Sequence, residues 1–182
     1  MRTLYILFAL AAATGFSSCL KENPPLGPEN GHDVIEIHQR IPDHIASPTT
    51  STYPLFIETF DLGPEADWNV VVRYAGDGCA PEHISVVMDL DPAAIDIYNA
   101  ENSDHLIMLP ATHYSVSNWT VTIPKGQKEA VLAVKLKPDL FDFAESYGFP
   151  LTIKSVSSGT VSGNFGTVIY NVGAKNQWEG TY

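Results

Sequence analysis

The chain has 182 residues, 45% of them hydrophobic, which suffices for one buried core and excludes a disordered polymer. Ten Lys and Arg stand against 21 Asp and Glu, a formal net charge of −11 with an isoelectric point near 4.7. That balance excludes the basic footprint that nucleic acid requires, and with it electrostatic docking onto anionic lipid headgroups.

The N-terminus reads Met1-Arg2 and then "LYILFALAAATGF", a basic start followed by an apolar run of about 13 residues. This is the pattern of a secretory signal peptide, too short for a membrane-spanning helix of about 20 residues. The run closes on "FSSC", which resembles the lipobox of bacterial lipoproteins, where the chain is cut before the Cys and the thiol carries a diacylglycerol. Residues 1–18 are therefore expected to be a signal peptide, and Cys19 the lipid attachment point and membrane contact. Two or three acyl chains, at about 0.8 kcal/mol per buried methylene, hold a protein to a bilayer where one does not. The next residues, "LKENPPLGPENG", are polar and rich in Pro and Gly, so 19–33 reads as a semi-extended tether. "CLKEN" is similar to the Lys-plus-acid signals of Bacteroidetes lipoproteins exported to the outer face of the outer membrane, with Glu22 as its one acid. With Cys19 acylated, Cys79 has no disulfide partner.

From residue 34 the apolar period is two. "DVIEIH" and "PLFIETF" are weaker strand candidates. "DWNVVVRY" places Trp68, Val70, Val72 and Tyr74 on one face, and "HISVVMDL" does the same for Ile84, Val86, Met88 and Leu90. "NWTVTI" aligns Trp119, Val121 and Ile123; "EAVLAVKL" aligns Ala130, Leu132, Val134 and Leu136. Between these two lies "PKGQ", a Pro-Gly turn that predicts a hairpin. "PLTIKSV" and "GTVIYNV" complete about eight strands.

Two segments break the alternation. In "DPAAIDIYNAEN", Asp91 suits an N-cap and Pro92 the first helical position, with Ala93, Ala94, Ile95, Tyr98 and Ala100 available for a face toward the sheet. "KPDLFDFAESYGFP" predicts a second helical connection from Pro138, ending at Gly148 and Pro150. The whole is expected to be all-β: an immunoglobulin-like two-sheet sandwich over 34–173 with one or two short helical connections, then a joint at 174–182.

An ordered set of short motifs carries a family resemblance: Asp91-Pro92, Tyr98-Asn99, Leu109-Pro110, Tyr114, Thr122 to Gly126, and Tyr147 to Ile153. In this order and spacing, over roughly residues 50–172, the chain resembles an N-terminal domain of unknown function found in Bacteroidetes surface lipoproteins. The resemblance implies an immunoglobulin-like module set ahead of a glycan-binding domain or a chitinase-like endoglycosidase barrel, and it brings no catalytic residues. "KNQWEGTY" looks like the joint at which the next module begins, so a ligand-binding role held by that module is not carried over.

The remaining chemistry is sparse. Chitinase-like enzymes use Asp-x-x-Asp-x-Asp-x-Glu; Asp89 and Asp91 fit part of it, but Ala93 stands where the general acid must be. A barrel would also need about 250 residues. Asp96, Glu101 and Asp104 fit no EF-hand spacing and suit the neighbourhood of a helix terminus. His32 and His38 lack a third ligand at a zinc-like spacing among His44, His83, His105 and His113. No catalytic residue, metal or cofactor is expected. Trp68 and Trp119 are in phase with the core, which leaves Trp178 and Tyr182 as candidate rings for stacking on a sugar. The expectation is a non-catalytic, lipid-anchored spacer or accessory module of a glycan-utilisation system on the outer membrane. The alternatives are a lipoprotein that docks on an outer-membrane protein, and the anchor module of an endoglycosidase lacking its barrel.

Overall fold

The structure, a computed structural model, describes residues 33–38 and 45–175. The expected signal peptide, Cys19, nearly all of the tether, His32, His44, Trp178 and Tyr182 lie outside the described residues. Among the described residues eleven strands form two sheets: β1 Val34–His38, β2 Leu55–Phe60, β3 Ala66–Tyr74, β4 Ile84–Leu90, β5 Ile107–Met108, β6 Tyr114–Val116, β7 Thr120–Ile123, β8 Glu129–Leu136, β9 Tyr147–Val156, β10 Thr160–Val161 and β11 Thr167–Ala174. One sheet has the order β10-β1-β3-β8-β6, the other β2-β11-β9-β4-β7 with β5 set parallel beside β9. All three strands absent from the sequence reading, β5, β6 and β10, have two or three residues, too few for a period to register.

Alternation builds the core. Ile35 and Ile37, Trp68 to Tyr74 in steps of two, and Leu132, Val134 and Leu136 face inward from the first sheet. From the second come Phe56, Ile84, Val86, Met88, Val121, Ile123, Tyr147, Phe149, Leu151, Ile153, Val168, Tyr170 and Val172. No polar or charged residue is buried among the described residues. Trp68 bridges the sheets, its ring 4.8 Å from that of Tyr170 and 5.4 Å from that of Phe149, both edge-on.

The predicted hairpin is corrected. β7 pairs with β4 (Val121 opposite Val86), while β8 pairs with β3 (Leu132 opposite Val70) in the other sheet. The turn itself is real: the Gln127 N–H donates to the Pro124 carbonyl at 2.9 Å, and Gly126 takes φ +79°, a value that favours glycine. Its outer groups, however, bond to a third segment. Gly126 N–H donates to the Ala80 carbonyl, and Ala80 N–H to the Gln127 carbonyl. The turn therefore arches from one sheet to the other, and the apolar faces of β7 and β8 meet across the core.

The second expected helix is also corrected. Only Pro138–Leu140 is helical, as a single 3-10 turn, and Tyr147 to Pro150 already belong to β9. Residues 142–146 are all exposed, so they have no apolar stripe with which to hold a helix to the sheet. Pro150 is tolerated in β9 because β4 pairs only from Leu151 onward and β5 only with Tyr147 and Gly148, so its missing N–H faces a gap in the ladder.

The first helix forms as expected, over Pro92–Asn102 (α1). Asp91 accepts the Ala93 N–H at 3.2 Å, and Ser103 ends the helix in the left-handed region with its N–H on the Asn99 carbonyl. Its buried face is narrower than the sequence suggested: Ala94, Ile95 and Tyr98 are covered, whereas Ala93 and Ala100 are exposed. That face packs with Leu55, Leu106 and Ile169 into a second apolar cluster outside the sandwich. Gly148 lies under Ile95, whose Cδ1 would sit 2.9 Å from an added Cβ. Truncating Leu132, which is fully buried, to Ala is expected to cost roughly 2–5 kcal/mol in denaturant unfolding; a loss under about 0.5 kcal/mol would contradict this packing.

Candidate functional site

The acids of the chitinase-like pattern are engaged in the framework. Asp89 takes a hydrogen bond from Lys154 at 2.7 Å and another from the Leu90 N–H at 2.9 Å. The ammonium, and after it the N–H, hold its carboxyl below the usual aspartate range, and Lys154 is raised in turn. Asp91 is the helix cap. Glu101 accepts both the backbone N–H and the hydroxyl of Thr52, which lowers it and pins the 45–54 loop to α1. The loop has a second tie where Ser51 donates to Asn102 at 2.9 Å.

The histidines do not converge. His38 lies 3.8 Å from Glu36 and 3.4 Å from Arg73, on the outer face of β1 and β3. His83 accepts the Lys125 N–H at 3.3 Å. His113 stacks on Phe141 and leans on Tyr147. Among the described residues no group of three His, Cys, Asp or Glu could hold a metal ion. Cys79 is exposed in the loop before β4.

The rings read as internal are covered to different degrees. Trp68, Tyr98 and Tyr147 are buried, and Trp119, Tyr53 and Tyr114 are half-buried. A cleft of about 350 Å³ opens where β7 and β8 part, lined by Ser117, Asn118, Thr120, Thr122, Glu129 and Val131 among others. It offers hydroxyls and amides but no aromatic face.

The two ends of the sandwich are more telling. β1 runs antiparallel to β3, with Ile35 opposite Tyr74, so Asp33 lies at the end of the sandwich where β3 finishes. β11 runs parallel to β2, with Ala174 opposite Phe60, so Lys175 lies where β3 begins. The chain thus arrives at one end and leaves from the opposite one. The nine residues of β3 separate the two by about 30 Å at 3.3 Å per residue.

Both ends are pinned. At the leading end, Asp33 accepts the Thr160 N–H on its carbonyl at 2.7 Å and the Tyr74 hydroxyl on its carboxylate, and Ala75 N–H donates to Val34 at 2.8 Å. At the exit end, Lys175 donates its N–H to the Phe60 carbonyl at 2.7 Å and its ammonium to Asp61 at 3.1 Å. Around it, the Asp139 N–H donates to the Gly63 carbonyl, joining the 61–65 loop to the Pro138–Leu140 turn.

These same two loops carry apolar side chains into solvent: Phe143 is 63% exposed, Leu140 50% and Leu62 43%. Sequence reasoning did not single them out, because in "DLFDFAES" the acids recur every third residue and leave Leu140, Phe143 and Ala144 at a helical spacing.

Residues 43–160 match a family described as a "-like, N-terminal domain". No curated protein matches the sequence. The fold is similar to that of a candidate carbohydrate binding protein from Bacteroides ovatus, with 20% identity and a TM-score of 0.55 over 68% of this chain and 35% of that one. A protein of unknown function from the same organism aligns at 16% identity and a TM-score of 0.66, over 81% of this chain and 48% of that one. An auxiliary nutrient binding protein from Bacteroides thetaiotaomicron aligns at 12% identity and a TM-score of 0.58, over 79% and 50%. The chain spans half or less of the length of each. At these identities the likeness is one of fold, and it bears out the two-sheet sandwich, while the family match over residues 43–160 bears out the N-terminal-domain resemblance read from the motifs.

The leading-end clamp has a titratable signature. The bond to Asp33 first, then burial, then the negative charges of Asp33 and Asp77 raise Tyr74 from 10.0 to about 12. Its contribution to stability is therefore fully present below pH 10 and lost as pH rises through about 12. Burial also raises Tyr98, Tyr114 and Tyr170, so absorbance titration should show several phenols ionising late, and Tyr74→Phe should remove one of them and cost roughly 1–3 kcal/mol.

Proposed function

We propose, from the premise that the chain belongs to this "-like, N-terminal domain" family, that it is a non-catalytic, lipid-anchored spacer module of a cell-surface glycan-utilisation system. The observation that carries this reading is the path of the chain. It reaches the sandwich at Asp33, leaves at Lys175 from the opposite end, and is clamped by hydrogen bonds at both. A module threaded in this way transmits position from one end to the other. One whose ends lay side by side would serve as a pendant. The acids of the chitinase-like pattern, Asp89 and Asp91, are engaged with Lys154 and the helix N-terminus.

In this reading Cys19 bears the lipid and residues 19–33 are the tether between membrane and sandwich. Cys19→Ser should abolish labelling by a fatty-acid probe and release the protein from the membrane fraction; a variant that stays bound and labelled overturns the anchor.

The likeness to carbohydrate- and nutrient-binding proteins favours a second reading, an accessory glycan binder. That reading needs a solvent-facing ring, for which Trp178 and Tyr182 are the candidates. One stacking face with a few hydrogen bonds gives millimolar affinity, about 4 kcal/mol. Titration against host and plant glycans, followed by Trp emission and calorimetry, separates the two. The spacer gives a flat response with the fold intact; saturable binding that disappears in Trp178→Ala makes the protein a binder.

A further inference from the structure

The cleft between β7 and β8 exists because the chain changes sheets beside it. β6 pairs with β8 in the first sheet and stops at Val116, opposite Val134. After residues 117–119 the chain resumes as β7, paired with β4 in the second sheet. β8 extends back to Glu129 with no β6 beside that half. The phase of the hydrogen bonds fixes which groups are left bare there. The Tyr74 N–H donates to the Lys128 carbonyl at 2.7 Å, in register with the β3–β8 ladder. Antiparallel ladder bonds fall on alternate residues, so Ala130, Leu132, Val134 and Leu136 bond to β3 while Val131 and Lys135 turn their N–H and C=O away from it. Lys135 is met by Ser115 of β6, whereas Val131, 44% exposed, is met by no strand among the described residues. Sheet edges are commonly blunted, and β7 shows how. The Met88 N–H donates to the Trp119 carbonyl at 2.7 Å, which turns Thr120 and Thr122 outward, and the Asn118 side chain accepts the Thr120 N–H at 3.0 Å. Among the described residues nothing caps Val131 in this way.

We propose that this notch is a peptide-binding site: an extended segment of a partner protein, basic at its ends, adds to β8 as a further antiparallel strand of the first sheet. One residue of the segment exchanges both hydrogen bonds with Val131 and points its side chain outward with that of Val131. Its neighbours point inward, over Ala130 and Val121, whose small side chains leave space for a branched apolar group. With strands about 4.8 Å apart, sheets about 10 Å apart and an advance of about 3.4 Å, one strand residue fills on the order of 160 Å³. The cleft of about 350 Å³ therefore takes about two. Glu129 borders it and the whole chain carries −11, so basic ends favour the approach and acidic ends oppose it. The proposal does not rest on the lipid anchor or on any glycan, so it stands or falls separately from the spacer reading.

The test uses the full chain and a synthetic peptide, Lys-Thr-Val-Thr-Val-Thr-Lys, with blocked ends. In the free protein the Val131 amide should exchange its hydrogen rapidly by NMR, while the Leu132 amide, bonded to β3, exchanges slowly. Peptide at millimolar concentration should slow Val131 exchange about tenfold and leave Leu132 unchanged. Methylating the threonine amides of the peptide blocks the edge that faces β8 in every register that keeps valine inward, and should abolish binding. Methylating the valine amides blocks only the far edge, and binding should persist. Val131→Pro removes a donor that β3 does not use, so the fold should survive and the peptide should no longer bind. The two methylated peptides decide the matter even if that variant folds poorly. Four results overturn the proposal: Val131 as protected as Leu132 without peptide, Val131 exchange unchanged by the peptide, equal binding of the two methylated peptides, or protection without peptide that grows with protein concentration. The last would assign the edge to a second copy of the chain.

Discussion

Two sheets share one core only where each offers an unbroken apolar face, and here that seam closes around Trp68. The indole projects from near the start of β3 and meets Tyr170, Phe149 and Phe60 of the opposite sheet edge-on, the arrangement that ring quadrupoles favour. Burying a ring of that size is worth on the order of 4–6 kcal/mol of gross transfer free energy. No charged or amide side chain is buried in the seam, and its polar atoms are tyrosine hydroxyls such as that of Tyr170.

This constraint drives the chemistry outward. With an interior of aliphatic and aromatic groups only, every acid must lie at the surface, and each ion pair found among the described residues is exposed or half-buried. Such pairs add little stability but organise the loops. Lys135 gathers Glu65 and Asp67 beside the exit end, and Lys175 takes Asp61. The outer face of the second sheet would expose Leu55 and Ile169, and α1 covers them, which explains a helix in an otherwise all-β domain. Asp91 and Glu101, acids that resemble active-site or metal chemistry in the sequence, serve to start that helix and to fasten the 45–54 loop to it.

The same division of labour bears on function. In the proposed spacer the sandwich holds Asp33 and Lys175 apart, and its differentiated surfaces lie at those two ends. The leading end is closed by the Asp33–Tyr74 bond; the exit end carries the exposed Leu and Phe side chains. In the solved structures of similar fold the matched part makes up half or less of the chain.

Local chemistry was legible from the sequence alone. Alternation fixed which side of β3, β4 and β8 faces the core, because a strand's side chains point to opposite faces whatever its partner. Asp91-Pro92 fixed the start of α1, because cap and helix are neighbours in the chain. Pairing was not legible. The Pro124–Gln127 turn has the same dihedral chemistry whether the flanking strands bond to each other or to β4 and β3, and only the competition among all eleven strands for edges made it an arch. Phe141 and Tyr147 could not be taken from a predicted helix until His113, far away in sequence, supplied the stack that holds them. The opposition of Asp33 and Lys175 is likewise a property of strand order, since each is placed by a partner more than forty residues distant in sequence. Sequence decided what each residue does to its neighbours; tertiary structure decided who the neighbours are, because hydrogen-bond ladders and apolar contacts carry no record of chain separation until the sheets close.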